Sequence, residues 1–99
     1  MYAISNLNKL AQVGELVPET MQAFKAYDKA ALADGAIPKK YKELMAIAVA
    51  LTTQCPYCVE VHRQQAVDAG VTETELAEAV HVAAALRAGG AITHGTHLF

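Results

Sequence analysis

Apolar residues recur at three- and four-residue spacing along most of the chain and nowhere alternate with period two, a pattern that predicts helices and no strands. Ile4, Leu7, Leu10 and Ala11 keep this spacing as far as Gly14, which gives a short first helix. Pro18 suits the first position of a second helix, whose Met21, Phe24, Tyr27 and Ala31 form an apolar stripe ended by Gly35. Pro38 opens a third. From Tyr41 to Leu51 that segment is apolar nearly all round, so it should be buried on several sides, inside the bundle or at a subunit contact. A fourth helix begins at Cys55 or Pro56 and runs to Gly70, a natural residue for the left-handed C-terminal position. Thr72 and Glu75 have the T-x-x-E spacing of a capping box, starting a fifth helix with Leu76, Val80, Ala83 and Arg87 along one side. Gly89 and Gly90 should weaken or bend it before a flexible tail reaches Phe99. The expected fold is all-α, a small bundle of about five helices, with residues 1–99 forming one domain.

Composition sharpens this picture. Apolar residues make up 54% of the chain and aromatics only 6%, so the interior must be built from Ala, Val, Leu, Ile and Met, small side chains that let helices approach closely. A net charge of −2, with signs intermixed, offers no nucleic-acid surface. The longest apolar run, Leu44 to Leu51, is too short to span a bilayer, and no signal-peptide pattern opens the chain. A cytoplasmic protein is expected. Its third helix is too apolar for a small monomer to cover, so a homo-oligomer is expected as well.

Candidate chemistry concentrates in one stretch. Glu43 lies twelve positions before Cys55, and Cys55, Pro56, Tyr57, Cys58 and His62 then follow as C-x-x-C-x-x-x-H. Two cysteines so spaced in a reducing compartment suggest redox or metal chemistry rather than a structural staple. A free thiol, with a pKa of about 8.5, is only slightly ionised at neutral pH and needs a group to take its proton. Cys58 falls in the first turn of the fourth helix, where unpaired amides and the helix dipole stabilise a thiolate, and His62 shares its face one turn on. Glu43 comes from the third helix, which Thr52, Thr53 and Gln54 allow to fold back on the fourth. A carboxylate beside the long apolar run is partly desolvated, which equips it to accept and return a proton near neutrality. The inferred mechanism is proton removal from Cys58 through Glu43 and His62, thiolate attack, and closure of a Cys55–Cys58 disulfide. Each thiol protects the other from irreversible oxidation.

Other readings compete at each position. Cys55, Cys58, His62 and Glu43 could hold zinc, but the commoner structural zinc sites draw ligands from two knuckles and no second knuckle exists, so neither a metal nor a cofactor is expected. His81 sits mid-helix among alanines and valines, where a core or interface histidine is the commoner role, and it stays a secondary candidate with Tyr57, which can shape access to the cysteines. His94 and His97 are spaced i, i+3 and could bind metal if helical, although a flexible tail is the expected setting. Cys-Pro-Tyr-Cys is also the glutaredoxin tetrapeptide, but a thioredoxin-type scaffold needs flanking strands and a proline after the motif, and none follows Pro56. A third possibility is a non-enzymatic helical metal-binding or oligomerisation module.

Glu43, Cys55-Pro56-Tyr57-Cys58 and His62 together resemble the E-x(11)-C-x-x-C-x-x-x-H signature of the AhpD-like group in the carboxymuconolactone decarboxylase superfamily. The resemblance extends from about Pro18 to the tail and includes Leu86-Arg87-Ala88-Gly89-Gly90. It implies an all-helical fold, assembly as trimers or hexamers, and an alkylhydroperoxidase that reduces hydroperoxides with its cysteine pair in antioxidant defence. By position, it implies that Cys58 is activated through Glu43 and His62, and that Cys55, nearer the surface, exchanges with a reducing partner such as a lipoyl domain, thioredoxin or a small thiol. The best-known members carry histidine immediately before the second cysteine, where this chain has Tyr57, which implies a shorter proton relay. True decarboxylases of the superfamily lack the cysteine pair, so that label would describe ancestry rather than chemistry.

Overall fold

The structure, a computed structural model, describes every residue from Met1 to Phe99. Its α-helices are α1 (Leu10–Leu16), α2 (Pro18–Leu32), α3 (Lys39–Thr53), α4 (Pro56–Asp68) and α5 (Glu73–His94), with short 3-10 segments at Ile4–Lys9 and Gly95–Leu98 and no strand. The fold is therefore all-α, as the periodicity predicts. The strands that a glutaredoxin-like scaffold requires are absent, which removes that alternative. No helix is long and apolar enough to cross a membrane.

The chain forms two compact units, Met1–Lys39 and Lys40–Phe99. In the first, α1 grows out of the 3-10 segment and runs through Gly14 instead of stopping there. It ends at Leu16 because Pro18 disfavours helical geometry at the residue before it, and Val17 sits at φ −138°, ψ 69°. A Cβ at Gly14 would lie 3.0 Å from Met21 Cγ, so the glycine lets α1 approach α2 closely. The α2 stripe is less covered than its spacing suggests. Met21 is half-buried, but Phe24 is 60% and Tyr27 75% exposed.

In the second unit, Ile47 of α3, Ala66 of α4 and Val71 form a buried cluster with Leu44, Leu51 and Leu76 packed against it. Helix α3 buries Glu43, Ile47 and Ala50 on one face. Tyr41, Met45 and Val49, an i, i+4, i+8 row on another face, are 50–59% exposed.

The connections are specified locally. At the end of α3, Gln54 takes a left-handed φ of 56°, and the Cys55 N–H donates to the Ala50 carbonyl at 3.0 Å, the 6→1 bond of a Schellman motif. Helix α4 ends the same way: Gly70 has φ 89°, the Val71 N–H donates to Ala66 O at 2.9 Å, and the Gly70 N–H donates to Val67 O at 3.0 Å. Val71 thereby packs against Ala66 in the core, the apolar contact that accompanies this motif.

Helix α5 starts on the capping box that Thr72 and Glu75 predict. The Glu75 N–H donates to Thr72 Oγ1 at 3.1 Å and the Thr72 N–H donates to Glu75 Oε1 at 2.9 Å. The Thr72 amide, and then the Lys40 ammonium 3.1 Å away, hold the Glu75 carboxyl below its ordinary value of 4.5. A depressed value in the folded state means that this contribution to stability is complete above the unfolded value and fades as pH falls through the folded one. Glu75→Gln, which keeps the capping acceptor but removes the charge, should therefore be less stable than the parent at neutral pH, with the gap closing as pH falls below 4.5. Denaturant titrations of both proteins at neutral and acid pH check this.

Two expectations for α5 change. Its buried residues are Ala79 and Ala83, with Leu76 half-buried, while Val80 is turned outward. Gly89 and Gly90 do not end it. Each costs about 1 kcal/mol relative to alanine, but the flanking residues are good helix formers and the helix continues unbroken to His94, so the tail is helical rather than loose.

Candidate active site

Cys55 serves two helices at once. Its N–H closes the C-terminal motif of α3, and its extended backbone (φ −96°, ψ 99°) makes it the N-cap of α4. Pro56 takes the first helical position, where its missing N–H costs nothing. The Cys58 N–H then donates to Cys55 Sγ at 3.3 Å. The sulfur favoured by the helix N-terminus is thus that of Cys55, whereas sequence placement alone directs attention to Cys58. Cys55 and Cys58 form a disulfide with Cα atoms 5.4 Å apart, and both residues are half-buried.

On the face of α3 turned to the core, Glu43 is 0% exposed. Its Oε2 lies 2.8 Å from Nδ1 of His62, whose side chain is 18% exposed. With Glu43 ionised, Nδ1–H donates and Nε2 keeps the lone pair of the neutral ring. His62 stands one turn beyond Cys58 on α4. No buried side-chain oxygen or nitrogen is left without a partner. A carboxylate removed wholly from water is expensive even when paired, and a well-packed apolar pair in place of Glu43 and His62 would hold this core about as well. The buried pair is therefore weak evidence of a stabilising role, and Glu43 stands as a candidate functional residue.

Two secondary candidates lie differently. Tyr57 is half-buried in the first turn of α4, between the cysteines. His81 is exposed on α5 and lines a shallow groove with Thr74, Ala77, Glu78, Val82 and Ala85, none of them from the quartet. A cleft of about 320 Å³ lined by Tyr41, Leu44, Met45, Ala48, Ala79 and Val82, with Glu75 and Glu78 at its side, also contains none of the quartet. No three His, Cys, Asp or Glu side chains converge as a metal-ligand set. The residue that sequence reasoning missed is Gln54. Its left-handed backbone aims Cys55 into both capping roles, and glutamine carries no signal for that conformation.

Residues 18–99 match the carboxymuconolactone decarboxylase family. The chain belongs to that family. This family member is 49% identical over 72 residues to an uncharacterized protein of the cox locus of Paracoccus denitrificans, covering 73% of this chain and 65% of the relative. It is 39% identical over 70 residues to an uncharacterized protein of Cupriavidus necator, covering 71% and 62%. The chain thus spans less than two thirds of the length of these curated relatives. Among solved structures, a protein from Methanobacterium thermoautotrophicum superposes with a TM-score of 0.81 at 36% identity, covering 86% of this chain and 96% of that one. A carboxymuconolactone decarboxylase family protein from Legionella pneumophila gives 0.79 at 36% identity, covering 91% and 80%.

Proposed function

We propose that this carboxymuconolactone decarboxylase family member is a thiol-dependent peroxidase that reduces hydroperoxides through a Cys55/Cys58 dithiol–disulfide cycle. The observation that carries the reading is the fully buried Glu43 carboxylate bonded to His62, one turn from a cysteine already paired with its neighbour. In the reduced protein, Nε2 of His62 takes the proton of Cys58, and Glu43 stabilises the imidazolium that results. The Cys58 thiolate attacks one peroxide oxygen, the O–O bond breaks, and the alkoxide leaves with the proton from His62. Cys58 becomes a sulfenic acid. Cys55, whose thiolate is favoured by the Cys58 N–H, attacks that sulfur and water departs, closing the disulfide. Two electrons pass from the dithiol to the peroxide, and an external dithiol or thiol restores them. Tyr57 flanks this path and His81 lies off it.

The same reading includes a cytoplasmic setting that keeps the reductant available, and a homo-trimer or homo-hexamer. The row Tyr41, Met45, Val49 and the exposed Val82 and Leu86 of α5 support assembly, because such apolar surface is costly to leave in water. The test follows peroxide loss while a lipoyl domain, thioredoxin and small thiols are supplied one at a time. Catalytic loss with at least one of them is expected, and none with any of them would remove the peroxidase reading.

A further inference from the structure

We propose that His94 and His97 form a two-imidazole site for a borderline divalent transition ion such as Zn²⁺, independent of the cysteine pair. The spacing alone has no meaning in a loose tail. It acquires one because α5 continues through Gly89 and Gly90 and carries His94 as its last residue, while His97 falls in the 3-10 segment that follows directly. Residues three apart are neighbours on one side of a continuous helical run, in α-helical and 3-10 turns alike. The rings accordingly meet edge to face, with centroids 5.0 Å apart and planes at 64°. The turn between them is fixed by the Thr96 hydroxyl, which donates to the Thr93 carbonyl at 2.7 Å.

Three features of the place suit a cation. Imidazole nitrogens are favoured ligands of Zn²⁺, Cu²⁺ and Ni²⁺ and are largely neutral at physiological pH. Both residues are exposed, so water can complete the coordination shell without desolvation of the ion. The pair also stands at the C-terminal end of a 22-residue helix, where the partial negative charge of the last carbonyls favours positive charge. Coordination needs only a rotation of two exposed side chains about their own bonds, and it forms no covalent or redox product.

The test uses the full chain in its disulfide form, so that no thiol competes, with Zn²⁺ added as a chloride. Calorimetry should give one ion per chain, and the imidazole resonances of His94 and His97 should move together over the same titration. Replacing either histidine, as His94→Ala or His97→Ala, removes the chelate and should weaken binding by about 10²-fold. Because both side chains are exposed, these variants should fold like the parent. Undiminished binding in both variants, or two rings responding at unrelated Zn²⁺ concentrations in the unmodified chain, would overturn the proposal.

Discussion

Cys58→Ser is expected to reduce peroxide turnover to the background rate of the buffer, with circular dichroism unchanged. The serine hydroxyl is a far weaker nucleophile, and no disulfide can close without the second sulfur. Cys55→Ser should behave differently. Cys58 would still attack once, but its sulfenic acid would have no partner and would pass to the irreversible acids under excess peroxide. Mass spectrometry distinguishes the two variants: Cys55→Ser gains oxygen at Cys58, whereas Cys58→Ser leaves a single unmodified thiol at Cys55. Turnover that survives Cys58→Ser would end the assignment of the attacking sulfur.

The second large effect belongs to Glu43. Glu43→Gln preserves shape and an acceptor for the Nδ1–H of His62, but it removes the negative charge that stabilises the imidazolium. Peroxide turnover should fall by about 10²–10⁴-fold, the usual worth of a positioned acid–base group. Alkylation of the reduced protein should also need higher pH, because the imidazolium formed when His62 takes the proton of Cys58 has lost its counter-charge. Stability should not fall with activity. A buried charge is held at a cost, so the neutral amide is expected to leave the unfolding midpoint equal or higher. A lower midpoint together with an unaltered pH profile would make Glu43 a structural residue.

Much of this arrangement is written in local signals. Pro18, Gly70 and the Thr72/Glu75 pair mark helix ends, and each acts through backbone geometry or a hydrogen bond that needs no distant partner. Glu43 and His62 are legible together because a short turn joins two helices and returns one face to the other. Other features depend on interactions the sequence does not display. Gln54 adopts a left-handed backbone, at a cost of about 1–2 kcal/mol, where the Cys55 N–H closes α3 on Ala50 O and the chain turns into α4. Helix α5 passes Gly89 and Gly90 because two weak residues do not outweigh the propensity around them. Phe24 and Tyr27 keep helical spacing yet remain exposed, since periodicity fixes which residues share a face and not what covers it. Which sulfur sits at the helix N-terminus is equally hidden. Only the hydrogen bond from the Cys58 amide shows that the helix N-terminus serves Cys55.

The proposed reaction is the oxidation of the dithiol by a hydroperoxide with the help of the Glu43–His62 pair. Its most direct test is a single turnover: fully reduced protein mixed with a limiting amount of hydroperoxide, quenched over time, with residual peroxide, free thiols and the Cys55–Cys58 disulfide all counted. One disulfide should form and two thiols should be lost for each peroxide consumed, with the same stoichiometry but a much slower rate in Glu43→Gln. Thiols that persist while peroxide remains, or a Glu43→Gln protein that reacts as fast as the parent, would contradict it.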